Sequence, residues 1–456
     1  ESITDVGWSW PTLDKLVEVL TLQSGFNSAV VILGATFLGC ASGIVGTFAL
    51  LRKRALMADA LSHSALPGLC LSFIFAWTLG FDGKSLPILL LGATVSGIVG
   101  VLSVQFLVQH TRLNEDAAIG SVLSVFFGFG ILLLSLIQSL GTGSEGGLNH
   151  FIYGQTAAMG ASDAIFTLAV TISILIMTLL LLKEFRLVCF DQDYAATLGW
   201  PVATIDLIMM SSVVVVTVTG LETVGMLLIV SLIIIPPVTA RFWTENLTQM
   251  TVISGSLGAL SCYIGAALSA VLPRFPAGSV IVLTSGIFFA ISFLLAPRRG
   301  LLASFVRGLM LRLEIAADHV LRLAYEHAES TDPLEVNSID VIKNCASLKS
   351  WNRFFRFFVF VFMMLRRLLK VSALGSLTLT QRGSAEAVKI TRNHRLWEEY
   401  MLLKTDIPLS HVDYSADFVE HALSSEIIER LESGLQESGR LPKSSPPASA
   451  HPFDEG

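Results

Sequence analysis

Apolar windows of about 20 residues alternate with short polar stretches along the first two thirds of the chain. A helix needs about 20 apolar residues to cross the hydrocarbon core of a bilayer, so the pattern predicts a membrane domain built from helices. We place nine spans at 29–51, 55–80, 86–108, 117–139, 161–182, 203–219, 224–240, 250–272 and 277–296. Beyond residue 300 charged and apolar residues are mixed with helical periodicity, which predicts a mainly helical soluble extension.

The composition excludes an ordinary soluble globular protein, because 53% of the residues are hydrophobic and only 14% are charged. The net charge of −6 argues neither for nor against nucleic acid as a partner. The chain has no G-x-x-x-x-G-K-[ST] loop, no H-E-x-x-H motif and no Ser-His-Asp order, so we predict that it is not an enzyme. The five cysteines are scattered singly, which predicts buried or cytosolic thiols: Cys40, Cys70, Cys189, Cys262 and Cys345.

The basic residues predict how the membrane domain is oriented. Cytoplasmic loops are enriched in Lys and Arg, and here the loops after the odd-numbered windows are basic, whereas the opposite loops hold only Lys84 and Arg274. The amino terminus is therefore predicted outside and the extension in the cytoplasm. Residues 1–28 lack a basic start and are predicted to be an amphipathic lead-in, not a signal peptide. The basic loop residues are Arg52, Lys53, Arg54, Arg112, Lys183, Arg186, Arg241, Arg298 and Arg299.

The second window carries the pair with the clearest chemistry, Asp59 and His63. At a spacing of four residues on a helix the two side chains share one face, and together they suit a divalent metal ion. Ionisable groups at membrane depth are costly and usually mark an ion path. Pro67 has no N–H, so the His63 carbonyl loses its helical donor and lies near the pair. The alternative is a structural pair that hydrogen-bonds neighbouring helices.

The segment from Arg54 to His63, followed by Leu66-Pro67-Gly68, resembles the signature of the manganese/zinc/iron ABC-transporter permeases. Segments 190–199 and 224–241 agree, and the resemblance covers roughly residues 25–297. It implies that Asp59 and His63 coordinate the metal in the translocation path. It also implies a bacterial inner-membrane protein with three kinds of partner: a separate ABC ATPase subunit, an extracytoplasmic metal-binding protein and a second permease copy or paralogue.

The segment 190–199 also has its own physical interpretation. Its residues favour a short helix that Gly199 and Pro201 end, and such a helix can transmit motion across a cytoplasmic loop. The alternative is an ordinary connecting turn. The resemblance implies that this is the coupling segment that docks on the ATPase, through Asp191, Asp193, Ala195, Ala196 and Gly199.

The extension carries two carboxylate–histidine groups at helical spacing. His394 and Glu398 are four residues apart, and Asp417, Glu420 and His421 fall on one helix face. Mixed nitrogen and oxygen ligands of this kind suit manganese or iron(II) better than a thiolate-rich zinc site. The alternative is a pair of ordinary charged helix faces.

These residues resemble the diphtheria-toxin-repressor family of metal-dependent regulators, well over 376–432 and weakly over 315–375. The resemblance implies that His394, Asp417, Glu420 and His421 are metal ligands and that Glu398 is an accessory one. Asp318 falls at the position of the family's first-helix ligand. Leu321 occupies the companion position that often carries a carboxylate, so the second metal site of the family is incomplete here.

The region expected to form a DNA-recognition helix is instead rich in phenylalanine, from Trp351 to Arg367. A helix that reads bases needs polar side chains. Three interpretations stay open: a helix on the membrane surface or packed on a partner, a divergent DNA-binding helix, and a tenth span.

We therefore predict an all-α polytopic membrane protein of about nine spans with a cytoplasmic, winged-helix-like, metal-sensing domain. The resemblance implies that it is a permease subunit of an ATP-driven importer of manganese, iron or zinc. The alternative is a membrane-tethered metal-dependent repressor that binds operator DNA, with transport secondary. The predicted divisions are 1–28 lead-in, 29–297 permease, 298–314 basic connector, 315–375 winged-helix-like region, 376–432 metal-binding and dimerisation-like region, and 433–456 disordered tail.

Overall fold

The computed structural model describes residues 13–54, 57–78, 86–139, 159–272, 275–330, 351–371, 377–404 and 425–437. The chain divides into two compact units, residues 1–304 and 305–456. The helices of the first unit are α1 Leu13–Leu20, α2 Phe26–Leu51, α3 Met57–Thr78, α4 Leu86–His110, α5 Glu115–Ser139, α6 Ala161–Leu180, α7 Leu182–Phe190, α8 Gln192–Thr197, α9 Val202–Thr223, α10 Met226–Arg241, α11 Leu247–Val271 and α12 Ala277–Leu295. The boundary between the units falls in the first turn of the next helix, α13 Leu301–Ser330.

Eight of the described helices are long and apolar enough to cross a membrane, namely α2, α3, α4, α5, α6, α9, α11 and α12. The seventh predicted window forms α10, which has 16 residues. At a rise of 1.5 Å per residue it is about 24 Å long, shorter than a hydrocarbon core of about 30 Å. It follows α9 after a break at Gly225, whose φ of 85° is readily adopted only by glycine. The predicted multi-pass helical membrane domain is confirmed.

Glycines bring the central helices of this unit into backbone contact. A Cβ at Gly43 of α2 would overlap the Ser254 carbonyl of α11, and one at Gly39 would overlap the Gly258 carbonyl. The Ser254 hydroxyl donates a hydrogen bond of 2.6 Å to the Gly43 carbonyl. The small residues of these two helices therefore act as packing devices, as is usual between membrane helices.

Close packing of the same kind fixes α3 against α4. A Cβ at Gly68 of α3 would overlap the Gly92 carbonyl of α4, and the Ser96 hydroxyl donates to the Ser64 carbonyl at 2.7 Å. On the other side of α3, Leu66 packs on Gly130 of α5. The helix that carries Asp59 and His63 thus has fixed neighbours on two sides.

The second unit combines a long helix with a small helix–hairpin–helix arrangement. Its further elements are α14 Arg353–Leu365, β1 Leu369–Val371, β2 Leu377–Leu379, α15 Gln381–Lys404 and α16 Ser425–Glu437. The strands pair antiparallel, with Leu369 opposite Leu379. Its core joins α13, α14, β1 and α15 through residues that include Leu321, Met363, Leu369 and Ala387. A helix followed by a two-stranded hairpin agrees with the predicted winged-helix-like organisation.

The phenylalanine-rich helix α14 buries only one face. Val359 and Met363 are fully buried, whereas Phe354 is 75% and Phe357 is 62% exposed. With 13 residues the helix is about 20 Å long, too short to cross a hydrocarbon core, so the tenth-span interpretation is wrong. The surface and DNA-binding interpretations of the helix stay predictions.

Candidate metal centre and coupling elements

Asp59 and His63 meet on the first two turns of α3. The Asp59 Oδ1 and His63 Nε2 atoms are 3.7 Å apart, and their side chains are 44% and 19% exposed. With metal–ligand bonds of about 2.1 Å, two atoms at that separation subtend an angle of about 120° at one shared ion. The predicted proximity follows from the helix alone, and the distance suits coordination better than a direct hydrogen bond, which needs about 3 Å.

The surroundings of the His63 ring leave one nitrogen unsatisfied. The edge of the ring meets Phe127 of α5 with centroids 4.6 Å apart, and Nδ1 is buried without a hydrogen-bond partner among the described residues. Buried polar atoms in native proteins are nearly always satisfied by protein, water or an ion. One turn further along α3, Pro67 lines a cavity of about 720 Å³ among α3, α4 and α5, but neither Asp59 nor His63 lines it.

A network of charged and amide side chains, which we call the Asp206 network, includes two arginines that immediately precede this helix. The Asp206 carboxylate of α9 is buried and accepts hydrogen bonds from Arg52 Nε at 2.9 Å, Arg54 Nη1 at 2.5 Å and Gln105 Nε2 at 3.2 Å. Arg54 also pairs with Glu115 at the start of α5. Buried charges are tolerated only when they are paired in this way.

Sequence reasoning missed Asp206 as a functional residue. The signal was available, because Asp206 is the only ionisable residue within the predicted window 203–219. An intramembrane carboxylate of this kind usually has a charged partner. The partners could not be identified, because Arg52 and Arg54 lie more than 150 residues earlier in the chain.

The predicted coupling segment forms the short helix α8. Asp191 caps it, since its Oδ1 accepts from the Tyr194 backbone N–H at 2.8 Å. Ala195 is fully buried and anchors the helix, whereas Asp193 and Ala196 are exposed. Gly199 ends the segment with a φ of 82°, as the sequence predicted. The segment is therefore a short helix, as predicted, and its docking role stays a prediction.

The coupling segment is tied to the Asp206 network by one arginine. Arg52 donates to the Gln192 Oε1 atom of α8 at 3.0 Å and to the Val188 carbonyl of α7 at 3.2 Å. The same guanidinium therefore contacts α7, α8 and, through Asp206, α9. The planar fork of five donors makes arginine suited to joining several acceptors at once.

In the second unit the structure brings His394 and Glu398 together on α15. His394 Nε2 and Glu398 Oε1 are 3.3 Å apart, and both side chains are almost completely buried. The guanidinium of Arg322, from α13, lies against the same ring, with Nη1 2.7 Å from Nδ1 and 2.9 Å from Nε2. Two residues of the predicted metal site are thus adjacent, with a cation already beside them.

This arrangement does not fit a divalent metal ion on His394. Arginine only donates, so a ring nitrogen bonded to Arg322 must accept with its lone pair. A lone pair that accepts this hydrogen bond is not available to a metal ion. These two residues can bind a metal only after Arg322 has moved.

Of the other predicted ligands of the extension, only Asp318 lies among the described residues. Asp318 lies on α13, but the described part of the chain contains no cluster of three or more His, Cys, Asp or Glu side chains arranged for a metal. Asp417, Glu420 and His421 lie outside the described residues. The complete ligand set of the extension therefore stays a prediction.

The membrane unit matches a known protein family. Residues 27–296 match the ABC 3 transport family. The chain belongs to the ABC 3 transport family. This assignment confirms the predicted resemblance to metal ABC-transporter permeases.

Several curated members of the family are similar to this chain. It is 35% identical to the manganese transport system membrane protein MntC of Bacillus subtilis strain 168, over 91% of this chain and 93% of that protein. It is 38% identical to the zinc transport system membrane protein TroC of Treponema pallidum, over 62% of this chain and 94% of that protein. The first similarity covers most of both chains, whereas the second covers most of the relative and less than two thirds of this chain.

A solved structure supports the same assignment for the fold. PsaBC from Streptococcus pneumoniae, determined in complex with a Fab, matches with a TM-score of 0.54 and 30% identity, covering 63% of this chain and 98% of that chain. The remaining part of the chain has its own family: residues 380–447 match the iron dependent repressor, metal binding and dimerisation domain. The predicted fusion of a permease with a metal-dependent regulator domain is confirmed.

Proposed function

We propose that this protein is the permease subunit of an ATP-driven importer of divalent metal ions. Manganese(II) and iron(II) are the leading substrates and zinc(II) is the third. The observation that carries the proposal is the Asp59–His63 pair, whose ligand atoms are 3.7 Å apart on a membrane helix. The similarity to manganese and zinc transport proteins supports the same substrate class.

The chemistry of the pair suits transient binding. A carboxylate oxygen and an imidazole nitrogen replace two water ligands of a divalent ion. One carboxylate compensates only one of the two positive charges, and an ion that must move on should be bound weakly enough to leave. The His63 carbonyl, which Pro67 leaves without a helical donor, offers a further oxygen beside the pair.

The ATPase subunit is proposed to dock on the coupling segment. Large apolar side chains are exposed on and beside α8, at Phe190, Tyr194, Leu198 and Trp200. Exposed apolar surface around a short, anchored helix is suited to a partner protein. With the basic loops inside, the protein lies in the bacterial inner membrane and the extension is in the cytoplasm. A second permease copy or paralogue and an extracytoplasmic metal-binding protein complete the importer.

The extension is proposed to be a metal-responsive regulatory domain for the same ion. Its proposed ligands are His394, Asp417, Glu420 and His421, with Glu398 and Asp318 as accessory groups. The match to a metal binding and dimerisation domain supports this role. The second candidate, transcriptional repression at an operator, is favoured by the helix and hairpin that precede α15.

The test of the transport function is metal uptake by variants of the pair. Removing a group that only supports a metal ligand typically costs 10–100-fold. Asp59 and His63 are proposed as ligands themselves, so we expect Asp59→Asn and His63→Gln each to lower uptake by at least about a hundredfold. The matched controls are Asp116→Asn and His110→Gln, which alter an exposed carboxylate and an exposed imidazole of α5 and α4. Normal uptake by both pair variants, at equal membrane insertion, would refute the proposal.

A further inference from the structure

The Asp206 network links the junction of α2 and α3 to several other helices. Arg52 follows the last residue of α2, and Arg54 lies three residues before α3 begins. Through these two residues the junction of α2 and α3 is bonded to α5, α7, α8 and α9. The junction leads directly into the helix of the metal pair, because Asp59 is five residues beyond Arg54.

The charges of the network balance. Arg52 and Arg54 carry two positive charges, and Asp206 and Glu115 carry two negative charges. Asp206 is only 5% exposed, and losing one partner of a buried ion pair leaves an uncompensated charge that costs several kcal/mol. The elements that hold these four groups are therefore expected to move together when any one of them moves.

We propose that Asp206 is a positioning residue that couples the ATPase-docking helix to the metal-binding helix. Motion of α8 reaches Arg52 through Gln192, and Asp206 holds Arg52 and Arg54 at the start of the path to Asp59. The covalent route from α8 to α9 runs instead through Gly199, whose φ of 82° is readily adopted only by glycine. The proposal rests on the proposed function, since it concerns how ATP hydrolysis drives metal movement.

The strongest competing explanation is that the network only stabilises the fold. A purely structural role predicts that a variant loses ATP hydrolysis and transport in the same proportion. A positioning role predicts that hydrolysis continues while fewer metal ions cross per ATP. The ratio of metal transported to ATP hydrolysed therefore separates the two explanations.

The decisive variant is Gln192→Leu. Gln192 is exposed on α8, so the substitution leaves all four charges and the buried part of the network in place. It removes the hydrogen bond that Arg52 donates to Gln192. A hydrogen bond to a charged group is strong enough that its loss can lower the ratio of metal transported to ATP hydrolysed by about tenfold. The matched control is Gln109→Leu, which alters the same residue type in the lining of the same cavity of about 290 Å³.

The experiment uses the complete transporter in proteoliposomes, with Mn²⁺ uptake and ATP hydrolysis measured in the same vesicles. We expect Gln192→Leu to lower the ratio of Mn²⁺ taken up to ATP hydrolysed by about tenfold, while Gln109→Leu keeps the ratio of the wild type. Asp206→Asn should show the same change more strongly, with Mn²⁺ binding by the purified protein retained.

Equal ratios for Gln192→Leu and Gln109→Leu would overturn the positioning role, as would a parallel loss of hydrolysis and uptake in both network variants. Absence of Mn²⁺ uptake by the wild-type transporter is a different result. It would overturn the proposed transport function itself, and the positioning role with it.

Discussion

Arg322 Nη1 lies 2.7 Å from His394 Nδ1, in the buried centre of the second unit. The guanidinium also lies 3.9 Å from Glu326, and the same histidine ring lies 3.3 Å from Glu398, so a permanent positive charge is present beside the predicted ligand pair. A metal ion at this pair would compensate the same charge. Arg322 is thus a competitor for any metal that binds there.

Removing the competing charge should raise the affinity of the extension for Mn²⁺. Arg322→Met abolishes a hydrogen bond from a charged donor, and we expect the apparent affinity to rise by about tenfold. Titration of the purified full-length protein with Mn²⁺, followed by elemental analysis, measures the change. Arg312→Met, an exposed arginine on the same helix, is the control, and the double variant Arg322→Met/Glu398→Gln should lose the gain. An unchanged affinity in Arg322→Met would show that the pair does not bind the ion.

A methyl group at the α2–α11 contact should destabilise the membrane unit. A Cβ at Gly43 overlaps the Ser254 carbonyl, which belongs to backbone and cannot rotate away. Gly43→Ala is therefore expected to lower the free energy of unfolding by about 1–3 kcal/mol, the usual cost of overpacking. The measurement is the midpoint of thermal unfolding in detergent. Gly286→Ala, which has open space around its Cβ position, should leave the midpoint unchanged.

The membrane unit should transport metal without the extension. TroC of Treponema pallidum aligns over 94% of its own length with only 62% of this chain, so that protein consists almost entirely of the part that it shares with this chain. A chain ending at Ser304 is expected to insert and to import Mn²⁺ at the rate of the full chain when cells are starved of metal. Uptake after preloading the cells with Mn²⁺ should be higher than in the full chain, because the regulatory domain is missing. A truncated chain that inserts but does not transport would contradict the prediction.

A DNA-binding assay distinguishes the two proposed roles of the extension. If the extension is a repressor, a fragment of residues 313–456 should bind one DNA sequence in the presence of Mn²⁺, with an affinity that falls as salt is raised. If it regulates transport instead, gel shifts with that fragment should show no specific complex. In that case His421→Ala should change Mn²⁺ uptake by the full-length protein, which makes uptake the second measurement.

Local patterns predicted the helices of the membrane unit well, because each apolar window must satisfy its own backbone hydrogen bonds in lipid. The length of the helix in the window 224–240 was harder to predict, because this window contains Gly225, Pro236 and Pro237, and α10 is shorter than the bilayer core. The end of the coupling helix at Gly199 was also predictable, because positive φ is a property of one residue type.

The sequence by itself determined the Asp59–His63 pair, since residues four apart on a helix meet whatever surrounds them. It also determined the division into a membrane unit and a charged extension, because composition alone decides which segments can enter lipid. Only the tertiary structure decided that Asp206 holds Arg52 and Arg54, and that Arg322 reaches His394. These partners are 154, 152 and 72 residues apart, so their contact depends on how helices pack and not on any local pattern.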